Sequence, residues 1–331
     1  MPRALALLAA LPALLAACGG GALVFEGLES PRGLTPHDGG LLVAEVASGA
    51  ITRLEPDGSR SVVLDLLPTL ANGPEGAPAG PSAVIPDGDG GLLFAVSEAR
   101  AKGFREVYRW RPGEHPMGIT GQELLAVSPP NPLLNPYDLA PAPGGGLFVS
   151  DAGANVIWRV SPDGELALYA DFPPLDNPTG EGPSEMDAVP TGLALGPDGA
   201  LYAAMLTGFP YPTGAALVHR LEDVNGDGDA LDAGEMSVAA RGLTAATDVA
   251  FDADGAMLVT EFSADMRALV ELGYAEAAQA PGRLVRVRPD GGLDALADDL
   301  VSPTAVAVLD GRIFVSEEFA GRVREIPPPR R

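Results

Sequence analysis

The sequence predicts an all-β fold: a six-bladed β-propeller with four-stranded antiparallel blades, closed by the N-terminal strand in the last blade. A short apolar strand, a Gly/Asp turn and a second apolar strand recur six times. Successive repeats start 50 to 57 residues apart, a period typical of propellers and solenoids. The 42 glycines and 33 prolines supply many turns, while 46% of the residues are hydrophobic. The repeats begin at Pro31, Pro81, Pro136, Pro190, Ala246 and Pro303.

Each repeat continues with two further strands. In the third repeat, residues 156–160 lead through the turn Pro162-Asp163-Gly164 to residues 166–169. Proline fixes φ at the second turn position and glycine accepts a positive φ, so this tripeptide favours a hairpin. Four antiparallel strands in each repeat would make one propeller blade.

The two ends of the chain predict how the ring closes. The last repeat offers a third strand at residues 323–326 but no fourth, and residues 22–28 match the pattern of a fourth strand. Pairing these segments would remove exposed sheet edges. The propeller is therefore expected to span residues 22–326, and the proline-rich tail 327–331 is expected to lie outside the sheet.

Residues 1–17 have the pattern of a bacterial signal peptide, with Arg3 before a short apolar run. The run ends in Leu-Ala-Ala-Cys18, which resembles the lipobox of bacterial lipoproteins, and Cys18 is the only cysteine. The resemblance implies that Cys18 is lipidated and that residues 18–21 form a glycine tether. We expect an extracytoplasmic protein anchored to a bacterial membrane, in the periplasm at the outer membrane or at the cell surface. An ordinary secretory signal with a chance cysteine is the alternative.

Composition excludes several function classes. The 45 acidic residues exceed the 21 basic ones and give a net charge of −24, which disfavours a nucleic-acid partner because phosphate backbones are repelled. One cysteine rules out an intramolecular disulfide framework, and three histidines limit histidine-based chemistry.

Several motifs resemble the ScyD/ScyE family of six-bladed propellers, named after a scytonemin biosynthesis cluster. The most specific is LTGFPYP at residues 206–212, followed by Gly-Ala-Ala at 214–216; Asn-Pro-Tyr at 135–137 and Gly-Pro-Ser at 80–82 are also typical. The resemblance covers about residues 22–326. It implies the fold, but this family offers no settled catalytic residues to carry over. More broadly, the chain is similar to NHL-repeat and SMP-30/gluconolactonase propellers.

Propeller ligands usually bind at the channel mouth, so the residues that follow the start of each inner strand are candidates. SMP-30-like lactonases are expected to hold a divalent metal there with Glu, Asn and Asp. None of the six residues that directly follow the start of an inner strand is acidic or amide-bearing, which counts against such a metal site. Asp138 and Asp248 do lie one place later in their strands. Arg32, Tyr137, Asp138 and Asp248 are therefore candidate ligand-binding residues. The six positions are Arg32, Ser82, Tyr137, Thr191, Thr247 and Thr304.

Four of the six second strands end in an acid: Glu45, Asp151, Glu261 and Glu317. These acids could ring the channel mouth and bind a cation or a polar ligand. Alternatively, each could accept hydrogen bonds from buried backbone N–H groups and tie neighbouring blades together.

The segment 223–235 fits Asp-x-Asn-x-Asp-Gly, the first half of an EF-hand-type calcium loop. It replaces the hairpin turn of the fourth blade and predicts a structural calcium ion; the alternative is a solvated acidic hairpin. The expected twelfth-position glutamate falls one residue late. The candidate ligands are Asp223, Asn225, Asp227, Asp229, Asp232 and Glu235.

The fifth repeat carries an insertion at residues 263–282. Met266, Leu269, Val270 and Tyr274 have helical spacing, with Ser263 as the expected cap, which predicts an amphipathic helix over the channel mouth. This helix could be a packed surface element or a ligand wall. On the same face, the rings of Phe209 and Tyr211 could stack on a flat or sugar-like ligand; the alternative is that they only pack the loop.

Three functional hypotheses follow. The first is a lipid-anchored, non-enzymatic propeller that binds a small molecule or a protein at the channel mouth. The second is a metal-dependent hydrolase, lactonase or lyase with a metal at the channel mouth. The third is a purely structural surface protein. A channel metal would distinguish the second hypothesis from the first.

Overall fold

The computed structural model describes residues 22–73, 77–88, 90–101, 103–118 and 133–327. The predicted signal peptide, Cys18 and the glycine tether lie outside the described residues. Within the described ranges, no helix is long and apolar enough to cross a membrane.

The chain forms six four-stranded antiparallel sheets arranged as the blades of a propeller, as predicted. Blade one contains β2 (Pro31–His37), β3 (Gly40–Glu45), β4 (Ala50–Leu54) and β5 (Arg60–Leu64). Blade two contains β6 (Pro81–Pro86), β7 (Leu92–Val96), β8 (Glu106–Trp110) and β9 (Met117–Gly118). Blade three contains β10 (Pro136–Pro141), β11 (Leu147–Asp151), β12 (Val156–Val160) and β13 (Leu166–Asp171).

A two-stranded hairpin of β14 (Leu175–Asp176) and β15 (Glu185–Met186) separates blades three and four. Blade four contains β16 (Pro190–Leu195), β17 (Leu201–Met205), β18 (Ala216–Leu221) and β19 (Met236–Leu243). Blade five contains β20 (Ala246–Phe251), β21 (Met257–Glu261), β22 (Gly282–Val287) and β23 (Leu293–Leu300). Blade six contains β24 (Pro303–Leu309), β25 (Arg312–Glu317), β26 (Arg322–Ile326) and the N-terminal β1 (Val24–Glu26).

The N-terminal strand closes the ring, as the sequence predicted. Strand β1 pairs antiparallel with β26, and Val24 lies opposite Arg324. The Glu325 N–H donates to the Leu23 carbonyl at 2.8 Å, and the Glu325 carboxylate accepts from the Leu23 N–H at 2.8 Å. Phe25 is buried between blades six and one. The closure therefore combines a backbone ladder with a buried aromatic ring.

The hydrophobic core lies between the blades rather than along the channel axis. Six apolar clusters each join one neighbouring pair of blades around the ring. Phe94, Phe148 and Phe314 are among their fully or nearly fully buried members. Because each sheet buries both faces against its neighbours, the inner strands are held rigidly around the channel.

The insertion in blade five differs in part from the prediction. It forms a seven-residue helix α1 (Met266–Leu272) followed by a 3-10 helix (Tyr274–Gln279). Asp265, not Ser263, is the N-cap, since its side chain accepts from the Ala268 N–H; the Ser263 hydroxyl accepts from the Asp265 N–H instead. Met266 and Leu269 are buried as expected, but Val270 is 45% exposed. Helical spacing alone placed Val270 on the wrong face because the helix is too short to bury a wide stripe.

The propeller has two distinct faces. We call the face where each inner strand begins and each second strand ends the mouth face. The loop 206–215, helix α1 and the hairpin β14–β15 all lie on the mouth face. The segment 222–235, between β18 and β19, lies on the opposite face.

Candidate channel ligand site

All six inner strands carry a register irregularity directly after their first residue. Such bulges re-aim side chains and often lie beside functional sites. Here at least one of the two residues after the first lines the channel cavity in every blade, and both do so in blades one, three, five and six. The six blades therefore present equivalent pairs of positions, which can be compared directly.

Four of the six blades use the first of these positions to join neighbouring blades. A Ser or Thr hydroxyl at that position donates to the backbone carbonyl that begins the next inner strand. Buried carbonyls need such partners, so these hydroxyls are architectural. The bonds run from Ser82 to Pro136 (3.0 Å), Thr191 to Ala246 (3.0 Å), Thr247 to Pro303 (2.8 Å) and Thr304 to Pro31 (3.2 Å).

Arg32 and Tyr137 occupy the same position in the other two blades and break this pattern. The Arg32 guanidinium pairs with Glu318, with Nη2 to Oε1 at 2.6 Å and Nε to Oε2 at 3.3 Å. Its central carbon also lies 5.8 Å from the centroid of the Tyr137 ring, within cation–π range. Arg32 therefore links three blades across the mouth.

Burial and neighbouring charges together set the protonation states of Arg32 and Tyr137. Burial acts to lower the pKa of Arg32, but the Glu318 carboxylate more than offsets it, so the pKa is raised. Burial also raises the pKa of the Tyr137 phenol, and the nearby Arg32 charge only partly opposes the shift. Arg32 is therefore a cation and Tyr137 a neutral phenol at physiological pH.

The second channel position holds a small residue in four blades and an aspartate in two. Asp138 Oδ2 accepts from the Leu193 N–H of the next blade at 2.8 Å. Asp248 Oδ2 accepts from the Val306 N–H of the next blade at 2.8 Å, and Oδ1 accepts from the Val249 N–H at 2.8 Å. The four small residues are Gly33, Ala83, Gly192 and Ala305.

The two aspartates interact electrostatically across blade four. Burial raises the pKa of Asp138 to about 6, although the Leu193 and Leu139 N–H groups oppose the shift. Burial and the charge of Asp138 together raise the pKa of Asp248 well above its usual value. Two carboxyl groups that share one site in this way resist simultaneous ionisation.

Gly192 provides the room for Asp248. A β-carbon at position 192 would lie 2.1 Å from Asp248 Oδ1 and 2.4 Å from its Cα. No side chain fits there without displacing the aspartate. Blade four thus contributes clearance, not a side chain, at the second position.

These residues line a cavity of about 290 Å³ in the channel. This volume is at the lower end of the range for small-molecule sites. Its mouth end is polar, with Arg32, Tyr137 and the two aspartates, whereas Leu139, Val249 and other inner-strand residues make its deeper wall apolar. A few convergent polar groups above an apolar wall are typical of a ligand site.

The four acids at the ends of second strands each accept from a backbone N–H that precedes an inner strand. All four are buried. The donors lie in the connections that lead into each acid's own blade, so the acids hold these connections in place. Ligand binding by these acids stays a prediction. The backbone N–H donors are those of Glu29 for Glu45, Leu134 for Asp151, Thr244 for Glu261, and Val301 for Glu317.

The acidic hairpin on the opposite face is organised by its own carboxylates. Asp223 accepts from the N–H groups of residues 226, 227 and 228. Buried Glu235 accepts from the N–H groups of residues 224, 225 and 232, and the Asn225 amide donates to Asp227 and Asp232. The Asp229 carboxylate instead accepts from the Leu231 N–H. Among the described residues, no three His, Cys, Asp or Glu side chains form a metal-holding group.

The aromatic loop and the insertion pack together on the mouth face. Tyr211 contacts the apolar cluster formed around Met266 and Leu269, whereas Phe209 is 56% exposed. The two rings make an edge-to-face contact with centroids 6.2 Å apart. Arg267 of α1 pairs with Glu181 at 2.5 Å, which ties the hairpin β14–β15 to the same assembly. Phe209 is thus the ring that this loop leaves available.

The candidates predicted from the sequence, Arg32, Tyr137, Asp138 and Asp248, line one cavity, but the sequence analysis did not name Glu318 or Gly192. Glu318 directly follows Glu317, so the consecutive acids of the sixth repeat were the available signal. Gly192 matches the small residues at equivalent places and gave no signal. Its role depends on the distance to a residue 56 positions away (248 − 192), which the repeat period does not specify.

The fold is shared with several solved structures. A gluconolactonase from Xanthomonas campestris is similar at a TM-score of 0.62 and 17% identity, covering 96% of this chain and 94% of that one. A PQQ-bound aldose sugar dehydrogenase from Streptomyces coelicolor gives a TM-score of 0.56 and 17% identity, with 93% and 99% covered. A virginiamycin B lyase from Staphylococcus aureus gives a TM-score of 0.53 and 15% identity, with 94% and 89% covered.

These likenesses define the class of the protein as a six-bladed β-propeller on the scaffold that lactonases, lyases and sugar dehydrogenases also use. At such identities the comparison shows the fold alone, and function must be argued from the site. No family model matches the chain, and no curated protein matches it as a relative.

Proposed function

We propose that this protein is a binding propeller that takes a small molecule into the mouth of its central channel. The observation that carries the proposal is the break in the inter-blade pattern. In four blades the residue at the first channel position donates a hydrogen bond to the next blade. Arg32 and Tyr137 occupy this position in the other two blades and line the cavity instead. Places where a sequence abandons a local structural rule are where functional residues are expected.

The proposal is tested by screening a library of small metabolites for compounds that raise Tm. Tyr137→Phe removes the channel hydroxyl and keeps the ring. Tyr202→Phe is the matched control, because its hydroxyl contacts Asp198 at 3.2 Å on the opposite face. We expect at least one class of compound to stabilise the wild type and Tyr202→Phe more than Tyr137→Phe. If every stabilising compound raises the Tm of Tyr137→Phe as much as that of the wild type, the channel is not the binding site.

The proposed location is extracytoplasmic, with a lipid anchor on Cys18. Strand β26 leaves the mouth face, and β1 runs antiparallel to it, so the chain enters the propeller at the opposite face. Four peptide units from Cys18 to Ala22 reach at most about 14 Å. An anchor at Cys18 would therefore hold the opposite face near the bilayer and turn the channel mouth towards the solvent. Metabolic labelling with a palmitate analogue tests this; a label that persists in Cys18→Ala would contradict it.

The proposed calcium ion would brace the hairpin at residues 223–235. The hairpin folds back onto blade three, where the Ala230 N–H donates to the Tyr169 carbonyl at 2.8 Å and Arg159 donates to the Gly228 carbonyl at 3.3 Å. Hard oxygen ligands such as those of Asp223, Asp227 and Asp232 are the type that calcium takes. This ion would lie on the face opposite the channel mouth, so its proposed role is structural.

A second candidate function is a hydrolase, lactonase or lyase with a channel metal. The buried pair Asp138 and Asp248 favours it, because carboxylates that face one cavity could hold a hard cation. The first channel positions, however, lack the acidic and amide residues expected of an SMP-30-like metal site. Metal content measured on residues 20–331 separates the possibilities. A divalent metal that survives Asp223→Ala/Asp227→Ala but is lost in Asp138→Asn favours the enzyme.

A further inference from the structure

The channel mouth carries an excess of negative charge. Arg32 is the one cation among the residues that line the cavity in the described ranges, and Glu318 neutralises it. Among the residues that the structure describes, neither Asp138 nor Asp248 has a basic partner; their hydrogen bonds come from backbone N–H groups. The whole chain has a net charge of −24. A narrow channel of this sign concentrates cations and repels anions.

The hydrogen-bonding groups of the cavity are mainly acceptors. An ionised carboxylate has about four lone-pair sites, so each aspartate has acceptor capacity beyond its backbone donors, and an ammonium group beside the pair would favour the ionised form of both. The Tyr137 hydroxyl has no hydrogen-bond partner among the described residues and can also accept. A protonated amine has three N–H donors and no acceptor, so it complements these three groups. Calcium instead takes six to eight oxygens, which makes it a poorer match.

We propose that the channel ligand is an organic cation whose protonated amine takes Asp138, Asp248 and Tyr137 as acceptors, with its apolar part against the deeper wall. This inference deepens the proposed binding function and rests on it. The lower wall supplies Leu139 and Val249 for the apolar part. The site therefore selects against neutral and anionic molecules of the same shape.

A proton competes with the amine for the same oxygens. In the described part of the chain, the other titratable groups near the pair are Arg32 on β2, Tyr137 on β10 and Glu318 after β25, while Glu98 after β7 acts on Arg32. Arg32 and Tyr137 keep their protons at neutral pH. Glu318 accepts a hydrogen bond from the Arg32 guanidinium. Amine binding should therefore weaken as the pH falls through the range in which the aspartate pair takes up protons.

The experiment uses benzylamine, benzyl alcohol and benzoate as probes of similar size and different charge, with binding measured by saturation-transfer NMR and calorimetry. Asp138→Asn keeps an oxygen for the Leu193 N–H and removes the charge, so it should fold. Asp163→Asn, in an exposed hairpin turn, is the matched control. We expect benzylamine alone to bind, and its affinity to fall by about tenfold or more in Asp138→Asn but not in Asp163→Asn.

Benzylamine binding that is absent, or unchanged in Asp138→Asn, overturns the inference. So does equal binding of benzyl alcohol, or a divalent metal retained by the wild type and lost from Asp138→Asn. The proposed function fails separately, through the metabolite screen with Tyr137→Phe. A neutral compound that binds in that screen and depends on Tyr137 would keep the binding function and remove only the amine preference.

Discussion

Gly192 and Asp248 are in direct contact across the boundary between blades four and five, and the contact requires that residue 192 has no side chain. A β-carbon there would lie 2.1 Å from the Asp248 carboxylate. We therefore expect Gly192→Ala to destabilise the protein by at least about 2 kcal/mol, because overpacking a rigid core costs about this much. Urea denaturation measures the loss.

Gly208→Ala is the control, since its β-carbon would approach no atom closer than 3.1 Å. We expect that variant to lose clearly less stability. Equal losses in the two variants would mean that the clearance at Gly192 is unimportant. A Gly192→Ala variant with wild-type stability would show that Asp248 can move aside freely.

The acid at the end of a second strand should be a large contributor to stability. Asp151 accepts from the Leu134 N–H at 2.9 Å and the Asn135 N–H at 2.8 Å, and is fully buried. Asp151→Ala leaves these donors unsatisfied, which should cost about 3 kcal/mol. Chemical denaturation of Asp151→Ala beside the exposed variant Asp163→Ala checks this; comparable stability in both would contradict the structural role.

Ring closure should depend on Phe25 more than on its neighbour. Phe25 is 5% exposed and Val24 is 40% exposed on the same short strand. Phe25→Ala should lower the free energy of unfolding by about 3 kcal/mol, whereas Val24→Ala should cost well under about 1 kcal/mol. Deleting residues 22–29 should cost more than either. A truncated protein with an unchanged thermal transition would refute closure by β1.

The proposed calcium ion at the hairpin predicts a metal-dependent stability. With calcium bound only to the native state, added calcium should raise Tm of the wild type, and a chelator should reverse the rise. Asp227→Ala should abolish this response. Asp290→Ala, in the exposed hairpin turn of blade five, should leave it intact. If added calcium does not change the Tm of the wild type, the proposed calcium ion is wrong.

The buried aspartates make stability depend on pH in a defined direction. Burial raises the pKa of Asp138 to about 6, above its unfolded value, so the native state binds more protons between these values. The free energy of unfolding attributable to Asp138 therefore falls as the pH rises from about 4 to about 7. Asp138→Asn lacks the titrating carboxyl group and should therefore avoid this loss in the free energy of unfolding, which amounts to at most about 3 kcal/mol.

Thermal melts across that pH range should show Asp138→Asn gaining on the wild type as the pH rises. The exposed variant Asp163→Asn should show no such gain. A stability difference between Asp138→Asn and the wild type that stays constant with pH would mean that the carboxyl group titrates normally in the folded protein.

The sequence by itself determined the blade plan. All six predicted repeat starts, from Pro31 to Pro303, are the first residues of inner strands, and the N-terminal segment closes the last blade. These features were predictable because strand alternation, turn residues and the repeat period are local properties. Helix α1 shows the limit of local pattern, since its cap and the exposure of Val270 depended on what it packs against.

Only the tertiary structure decided which residues meet in the channel. Arg32 and Glu318 are 286 residues apart (318 − 32) and pair at 2.6 Å because the ring brings blades one and six together. The pattern identified Asp138 and Asp248 as candidates, but their mutual interaction across Gly192 depends on the curvature of the ring. The physical reason is that the repeat period fixes each blade, whereas the distances across the channel follow from how the six blades pack around it.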